Sequence, residues 1–142
     1  MTIEQLSVFV ENKPGKLVEA LETLAQARID LRALSLADTT DFGILRIIVD
    51  NPSGALGALQ DAGYLVKSSA VIPVSVSDKP GGLAAVLRVL ADSGVDVEYT
   101  YAFVAHASEK AYVILRVADN DAAIKAMNDN NIALLSSEDM FG

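Results

Sequence analysis

The 142-residue chain has no cysteine and no tryptophan, a single histidine, and eleven basic side chains against nineteen acidic ones. Without cysteine there can be no disulfide framework, no thiol nucleophile and no zinc finger, which fits a reducing compartment and a cytoplasmic protein. A net charge of −8 repels phosphate backbones and anionic lipid, so neither nucleic acid nor a membrane surface is an expected partner. Long apolar runs are missing as well. The first one is broken by Glu11, Asn12 and Lys13 and has no basic flank ahead of it, unlike a secretion signal; none approaches the roughly 20 residues of a membrane span. What is there is 51% apolar, ample for the core of one domain or two very small ones.

The chain repeats itself. Asn12-Lys13-Pro14-Gly15-Lys16-Leu17 returns as Asp78-Lys79-Pro80-Gly81-Gly82-Leu83, 66 positions later, and the register holds through Leu24 with Leu90, Ile29 with Val95 and Asp30 with Asp96. A later block, Ile44-Leu45-Arg46, returns as Ile114-Leu115-Arg116 at an offset of 70. Four extra residues are therefore expected in the second copy, most simply in a hairpin around Ala105 to Lys110. The chain reads as two copies of one unit, 1-72 and 73-142, with no third segment left over.

Each copy carries the same succession of patterns. Leu6, Val8 and Val10 alternate in a β-rich run that stops at Asn-Lys-Pro-Gly, where proline sets φ and glycine admits a turn. From Gly15 the period lengthens: Leu17, Leu21 and Leu24 in the first copy, and Leu83, Val86, Leu87 and Leu90 in the second, each form one face of a helix. Gly94 ends the second of these helices, and Arg28 is expected in the last turn of the first. Alternating strands are predicted over 31-37 and 43-49, and again over 96-104 and 111-117. Helices follow over 53-62 and 120-129, the first opened by Asn51-Pro52-Ser53. A last strand over 64-72 is expected to break at Pro73 before the next begins at 74. The unit is β-α-β-β-α-β, an α+β, ferredoxin-like arrangement with both helices on one face of an antiparallel sheet and the other face open.

That fold serves many functions, so the site must decide. The candidate is the turn from first strand to first helix. The first N–H groups of a helix have no internal partners and the helix dipole adds positive potential, which suits a carboxylate. Gly15, and the pair Gly81-Gly82, let a ligand approach the backbone. Asp30 and Asp96, at the far ends of the same helices, offer oxygens to an ammonium group. Donors for a carboxylate and acceptors for an ammonium are what a free amino acid requires.

These residues carry a resemblance. Leu6 through Leu17 followed by Ile29-Asp30-Leu31 resembles the ACT domain, a βαββαβ module that binds amino acids and regulates metabolic enzymes, and Val74 through Leu83 followed by Val95-Asp96-Val97 resembles it again. Together they span nearly the whole chain, as in stand-alone tandem ACT proteins. The resemblance implies an allosteric regulatory protein, not an enzyme, that binds its ligand between ACT units through Asn12, Lys13, Pro14, Gly15, Lys16 and Leu17, with Asp78, Lys79, Pro80, Gly81, Gly82 and Leu83. Asp30 and Asp96 stand where the family often has Asn. Loop one, with neutral Asn12 and cationic Lys16, suits a carboxylate better than loop two, with Asp78 and uncharged Gly82.

The other features have blander readings. Tyr99, Tyr101 and Phe103 share one strand face and read as packing. Arg46 and Arg116 read as strand residues paired with acids such as Glu98. His106 has no second ligand or catalytic neighbour, and no phosphate-binding, dinucleotide-binding or nucleophile motif is present. No catalytic residue, cofactor or metal is expected. The expected partners are a free amino acid, a second copy in a homodimer, and a metabolic enzyme. The alternative is a regulatory or assembly subunit of an amino-acid biosynthetic enzyme that binds no ligand. A third reading, a small enzyme using the open sheet face as its cleft, differs from the first by turnover.

Overall fold

The computed structural model of the chain describes residues 1–39, 41–103 and 110–141. Within them the chain runs β1 (Ile3–Glu11), α1 (Lys16–Gln26), β2 (Leu31–Asp38), β3 (Phe42–Val49), α2 (Pro52–Asp61) and β4 (Val66–Ser77). It continues with α3 (Gly82–Asp92), β5 (Val97–Phe103), β6 (Lys110–Val117), α4 (Asn120–Asp129) and a short α5 (Ser137–Phe141). Two compact units result: Glu4–Ser69, and Ala70–Gly142 together with Met1–Ile3. The α+β, tandem ferredoxin-like class read from the sequence is the class observed.

Each unit has its own core, and alternation builds both. In the first, Leu6, Val8 and Val10 of β1 meet Ala20 and Leu24 of α1 and Ala55 and Leu59 of α2. In the second, Ile72, Val74 and Val76 meet Val86 and Leu90 of α3 and Ala123 and Met127 of α4. Each fully buried side chain of this size contributes roughly 1.5–3 kcal/mol by leaving water. The sheet face away from the helices mixes partly exposed Ser7, Phe9 and Arg46 with buried Gln5, Ala33 and Ile48 in the first unit.

Pairing corrects the register of the repeat. Ser7 lies opposite Arg46, and Pro73, its counterpart 66 positions on, lies opposite Ile114, which is 68 positions beyond Arg46 rather than 70. The outer pairing agrees: Leu31 faces Val49, and Val97 faces Val117. The second copy therefore carries two extra residues, not four, and the likeness of Ile44-Leu45-Arg46 to Ile114-Leu115-Arg116 is a slip by two. Side chains alternate with period two, so a two-residue slip keeps every side chain on its proper face. The hairpin around Ala105 expected to hold the insertion lies mostly outside the described residues.

Two local expectations are corrected as well. β4 runs through Pro73 without a break. Leu135 N–H donates to the Pro73 carbonyl (2.9 Å) and Ser75 N–H donates to Ala133 (2.9 Å). Because N–H and C=O of one strand residue point the same way, the nitrogen of Pro73 faces the far end of this short pairing, where no donor is called for. Arg28 is not in the last turn of α1, which ends at Gln26. It adopts φ 58°, the left-handed position that Gly94 (φ 74°) holds after α3, and Gly63 and Asn131 hold the matching position after α2 and α4. Left-handed residues close α1 to α4. The side chains of Asn51 and Asp119 accept from the N–H groups of Gly54 and Ala122 (3.1 Å each), capping α2 and α4.

Candidate functional site

The two Pro-Gly turns have one backbone. Gly15 (φ 85°) and Gly81 (φ 88°) occupy the left-handed region, open to glycine without the Cβ penalty. Lys16 N–H donates to Lys13 C=O (3.2 Å) and Gly82 N–H to Lys79 C=O (3.0 Å), closing equivalent turns from which Glu19 N–H reaches Gly15 (3.1 Å) and Ala85 N–H reaches Gly81 (3.0 Å). Each helix thus starts at the residue after glycine.

The polar side chains of the first turn already have partners. Asn12 Nδ2 donates to Asp38 Oδ1 (3.0 Å), Lys13 pairs with Glu11 (3.3 Å), and Lys16 pairs with Glu19 (3.5 Å). All are substantially exposed, so each ion pair contributes at most about 1 kcal/mol and exchanges readily with a charged ligand. Leu17 and Leu83 pack on the edges of their respective cores.

A cleft of about 540 Å³ opens beside the start of α1. It is lined by the end of β1 from Phe9 to Glu11, by Lys16 and Glu19 of α1, by Phe42 of β3 on one side of β1, and by the connection Ala62 to Leu65 between α2 and β4 on the other. That connection is fixed by Tyr64 N–H donating back to Leu59 (3.0 Å), by Gly63 at φ 92°, and by Phe9 N–H donating to Leu65 (3.0 Å). A smaller cavity, about 70 Å³, is lined by Asn12, Lys13 and Leu17 with Leu36 and Gly43. Of the turn residues named from sequence, Lys16 lines the larger cleft, Asn12, Lys13 and Leu17 line the smaller one, and Pro14 and Gly15 line neither. Sequence reading missed Phe9, Glu19, Phe42, Tyr64 and Leu65. Two signals were visible, the aromatic Phe9 between Val8 and Val10 and Glu19 one helical turn after Lys16; Phe42, Tyr64 and Leu65 arrive through tertiary structure.

The second turn is built differently above the same backbone. Asp78, Lys79, Pro80 and Gly81 are exposed. A Cβ on Gly82 would run into the carbonyl oxygen of Ser77, so α3 begins hard against the end of β4. In the corrected register, Ser75, Gly82, Ala85, Ile132 and Ala133 stand where the first unit has Phe9, Lys16, Glu19, Tyr64 and Leu65.

The two aspartates lie elsewhere in their units. Asp30 pairs with Arg32 (3.4 Å), its N–H donates to Asp50 Oδ1 (3.0 Å), and its carbonyl accepts from Asp50 N–H (3.1 Å). The eleven residues of α1, roughly 16 Å, separate it from the first turn, so within one unit no single amino acid reaches both. Asp96 is exposed at the matching place. Arg116 pairs with Glu98 (3.5 Å), as its strand position suggested. Tyr99 stacks on Tyr101 (6.4 Å between centroids) and Phe103 on Tyr112 (5.4 Å). His106 lies outside the described residues. Among the described residues no group of three or more His, Asp or Glu could hold a metal ion, and no helix is long and apolar enough to cross a membrane. Among the described residues, hydrogen bonding to Asp129 raises the pKa of Lys125 in α4 and hydrogen bonds from Ser136 lower that of Asp139 in α5, both in the second unit and outside the first turn.

Two ferredoxin-like units in tandem, each led into its first helix by a left-handed Pro-Gly turn, define the class of small paired α+β domains. The chain belongs to the ACT domain pair family, which matches residues 1–142. It is similar to protein BT0572 from Bacteroides thetaiotaomicron, at 40% identity over 99% of this chain and 96% of that one, with a TM-score of 0.92. It shares its fold with the ligand-free regulatory subunit of aspartate kinase from Thermus thermophilus (19% identity, 89% and 91% covered, TM-score 0.64). The corresponding subunit from Thermus flavus is alike (18% identity, 89% and 90% covered, TM-score 0.63). No curated protein matches the chain.

Proposed function

We propose that this chain is an amino-acid-binding regulatory protein that acts in trans on a metabolic enzyme, with the first turn as its main site and halves 1-72 and 73-142 as its two ACT units. The observation that carries this reading is the cleft at the first turn, where a helix start, a lysine and two glutamates converge on one open volume. The cation and the helix N-terminus suit the ligand's carboxylate, and the glutamates suit its ammonium. The shared fold with regulatory subunits of aspartate kinase supports an enzyme as the partner. Ligand binding would change affinity for that partner by a coupling free energy of roughly 1–3 kcal/mol. The chain is read as non-catalytic and cytoplasmic.

A homodimer is part of the proposal. β2 stands at the outer side of the first unit's sheet with Leu34 and Leu36 each 49% exposed and Val18 of α1 52% exposed. An uncovered strand edge beside apolar side chains suits a second copy related by two-fold symmetry. Leu34→Lys is expected to give a monomer by sedimentation; an unchanged mass would remove this edge from the interface.

A second reading, a ligand-independent assembly subunit, is favoured by one observation: Asn12, Lys13 and Lys16 are all satisfied without a ligand. Calorimetric titration of the amino-acid-free protein with each of the twenty amino acids separates the two. Micromolar binding by one or a few supports the sensor. Silence across the panel, with capture of an enzyme that amino acids do not disturb, supports the assembly subunit.

A further inference from the structure

We infer that the first-unit cleft selects amino acids with a bulky apolar side chain, and that the Lys16–Glu19 ion pair opens to receive the ligand's carboxylate on Lys16 and its ammonium on Glu19. The inference rests on the amino-acid reading above and assigns its specificity. At about 540 Å³ the cleft lies within the roughly 300–1,000 Å³ of small-molecule sites. Lys16 and Glu19 sit 3.5 Å apart on adjacent turns of α1, both within the cleft wall, and a zwitterion can replace each partner of that pair with the other's charge. No net charge is gained or lost by the exchange.

The rest of the lining decides the side chain. Phe42 is 46% and Leu65 63% exposed, and Phe9 and Tyr64 are half-buried, so apolar side chains on both sides of β1 contribute to the lining. Covering such a surface is favourable, and a small side chain would leave it wet. An acidic side chain would find no second cation among the lining residues once Lys16 holds the α-carboxylate. A basic one would find Glu11 already neutralised by Lys13 at 3.3 Å. The charge pair and the aromatic lining are also lost together in the second unit. Gly82 and Ala85 replace the ions, Ser75 and Ile132 replace Phe9 and Tyr64, and Lys110 stands at the position of Phe42.

The test is calorimetric titration of the full chain with L-leucine, L-phenylalanine, L-aspartate, glycine, leucinamide and N-acetyl-leucine. Leucine or phenylalanine is expected to bind once per chain. Leucinamide, without the carboxylate, and N-acetyl-leucine, without the ammonium, should each bind at least about 10-fold more weakly, as should leucine to Phe42→Ala or Tyr64→Ala. Phe42 is exposed enough for its variant to keep the fold, which the thermal midpoint checks. Aspartate or glycine binding more tightly than leucine, with Phe42→Ala binding as well as the parent, would overturn this specificity and leave the amino-acid reading standing. No heat from any of the twenty amino acids would overturn both.

Discussion

Lys16 and Gly82 occupy the same position in two turns of one backbone, yet one projects into a cleft and the other is pressed against the carbonyl of Ser77. Around them, what both copies keep is what the fold demands: Pro before a left-handed Gly, leucines facing the core, a left-handed residue after each of α1 to α4. What differs is the lining. The fourth strand differs too: β4 enters the first unit as part of an extended strand, whereas the second unit has a single bridge from Val74 to Leu134, followed by α5. Repetition within this chain marks architecture, and the copies diverge in the lining of the first-turn cleft.

The comparison can be broken most forcefully through the cores. Leu24→Ala and Leu90→Ala remove equivalent, fully buried side chains, and each should cost about 2–5 kcal/mol. Amide hydrogen exchange is expected to show lost protection concentrated in the unit that carries the substitution; uniform loss along the chain would mean that the units open as one.

The next largest contrast lies at the turn. Gly82→Ala forces the helix start away from Ser77 and should cost about 1–3 kcal/mol, while Lys16→Ala at the matching position should stay within about 0.5 kcal/mol, read from thermal midpoints. Equal shifts would show that the two turns are not built differently. Gly15→Ala and Gly81→Ala, by contrast, should cost the same, about 1–2 kcal/mol each, because both sit at positive φ with open space where a Cβ would go. Gly15→Val should weaken ligand binding where Gly81→Val does not.

The smallest effect belongs to α5, which only the second unit has. Hydrogen bonds from the Ser136 N–H and hydroxyl hold the Asp139 carboxyl below its ordinary value of 3.8. A carboxyl whose folded value is depressed contributes fully above its unfolded value and loses that contribution as pH falls through the folded one. Local fraying of α5 is therefore expected to begin as pH drops through about 4, with the first unit unaffected; NMR line shapes of Met140 against Leu24 report it.

Much of this was legible in the residues. The twice-written Asn/Asp-Lys-Pro-Gly, the helical spacing after it and the Asn51-Pro52-Ser53 opening located the elements and the duplication, because turn chemistry and periodicity are local. The register of the third strands was not legible. Ile-Leu-Arg matched Ile-Leu-Arg two residues out of step, and period-two alternation left no error on either face to betray it. Pro73 was misread because whether a strand tolerates proline depends on which neighbour its nitrogen faces. The cleft was half legible: Lys16 came from the turn, but Phe42 and Tyr64 reach it only through the pairing of β1 with β3 and the anchoring of Leu65 to Phe9.

The most direct test of the central claim, that the first turn and not the second is the amino-acid site, is chemical-shift mapping of the labelled full chain titrated with L-leucine. The account predicts saturable shifts at Phe9 to Lys16, Glu19 and Ala62 to Leu65, with Ser75 to Gly82 and Asn130 to Ala133 unmoved. Shifts confined to the second set would contradict it.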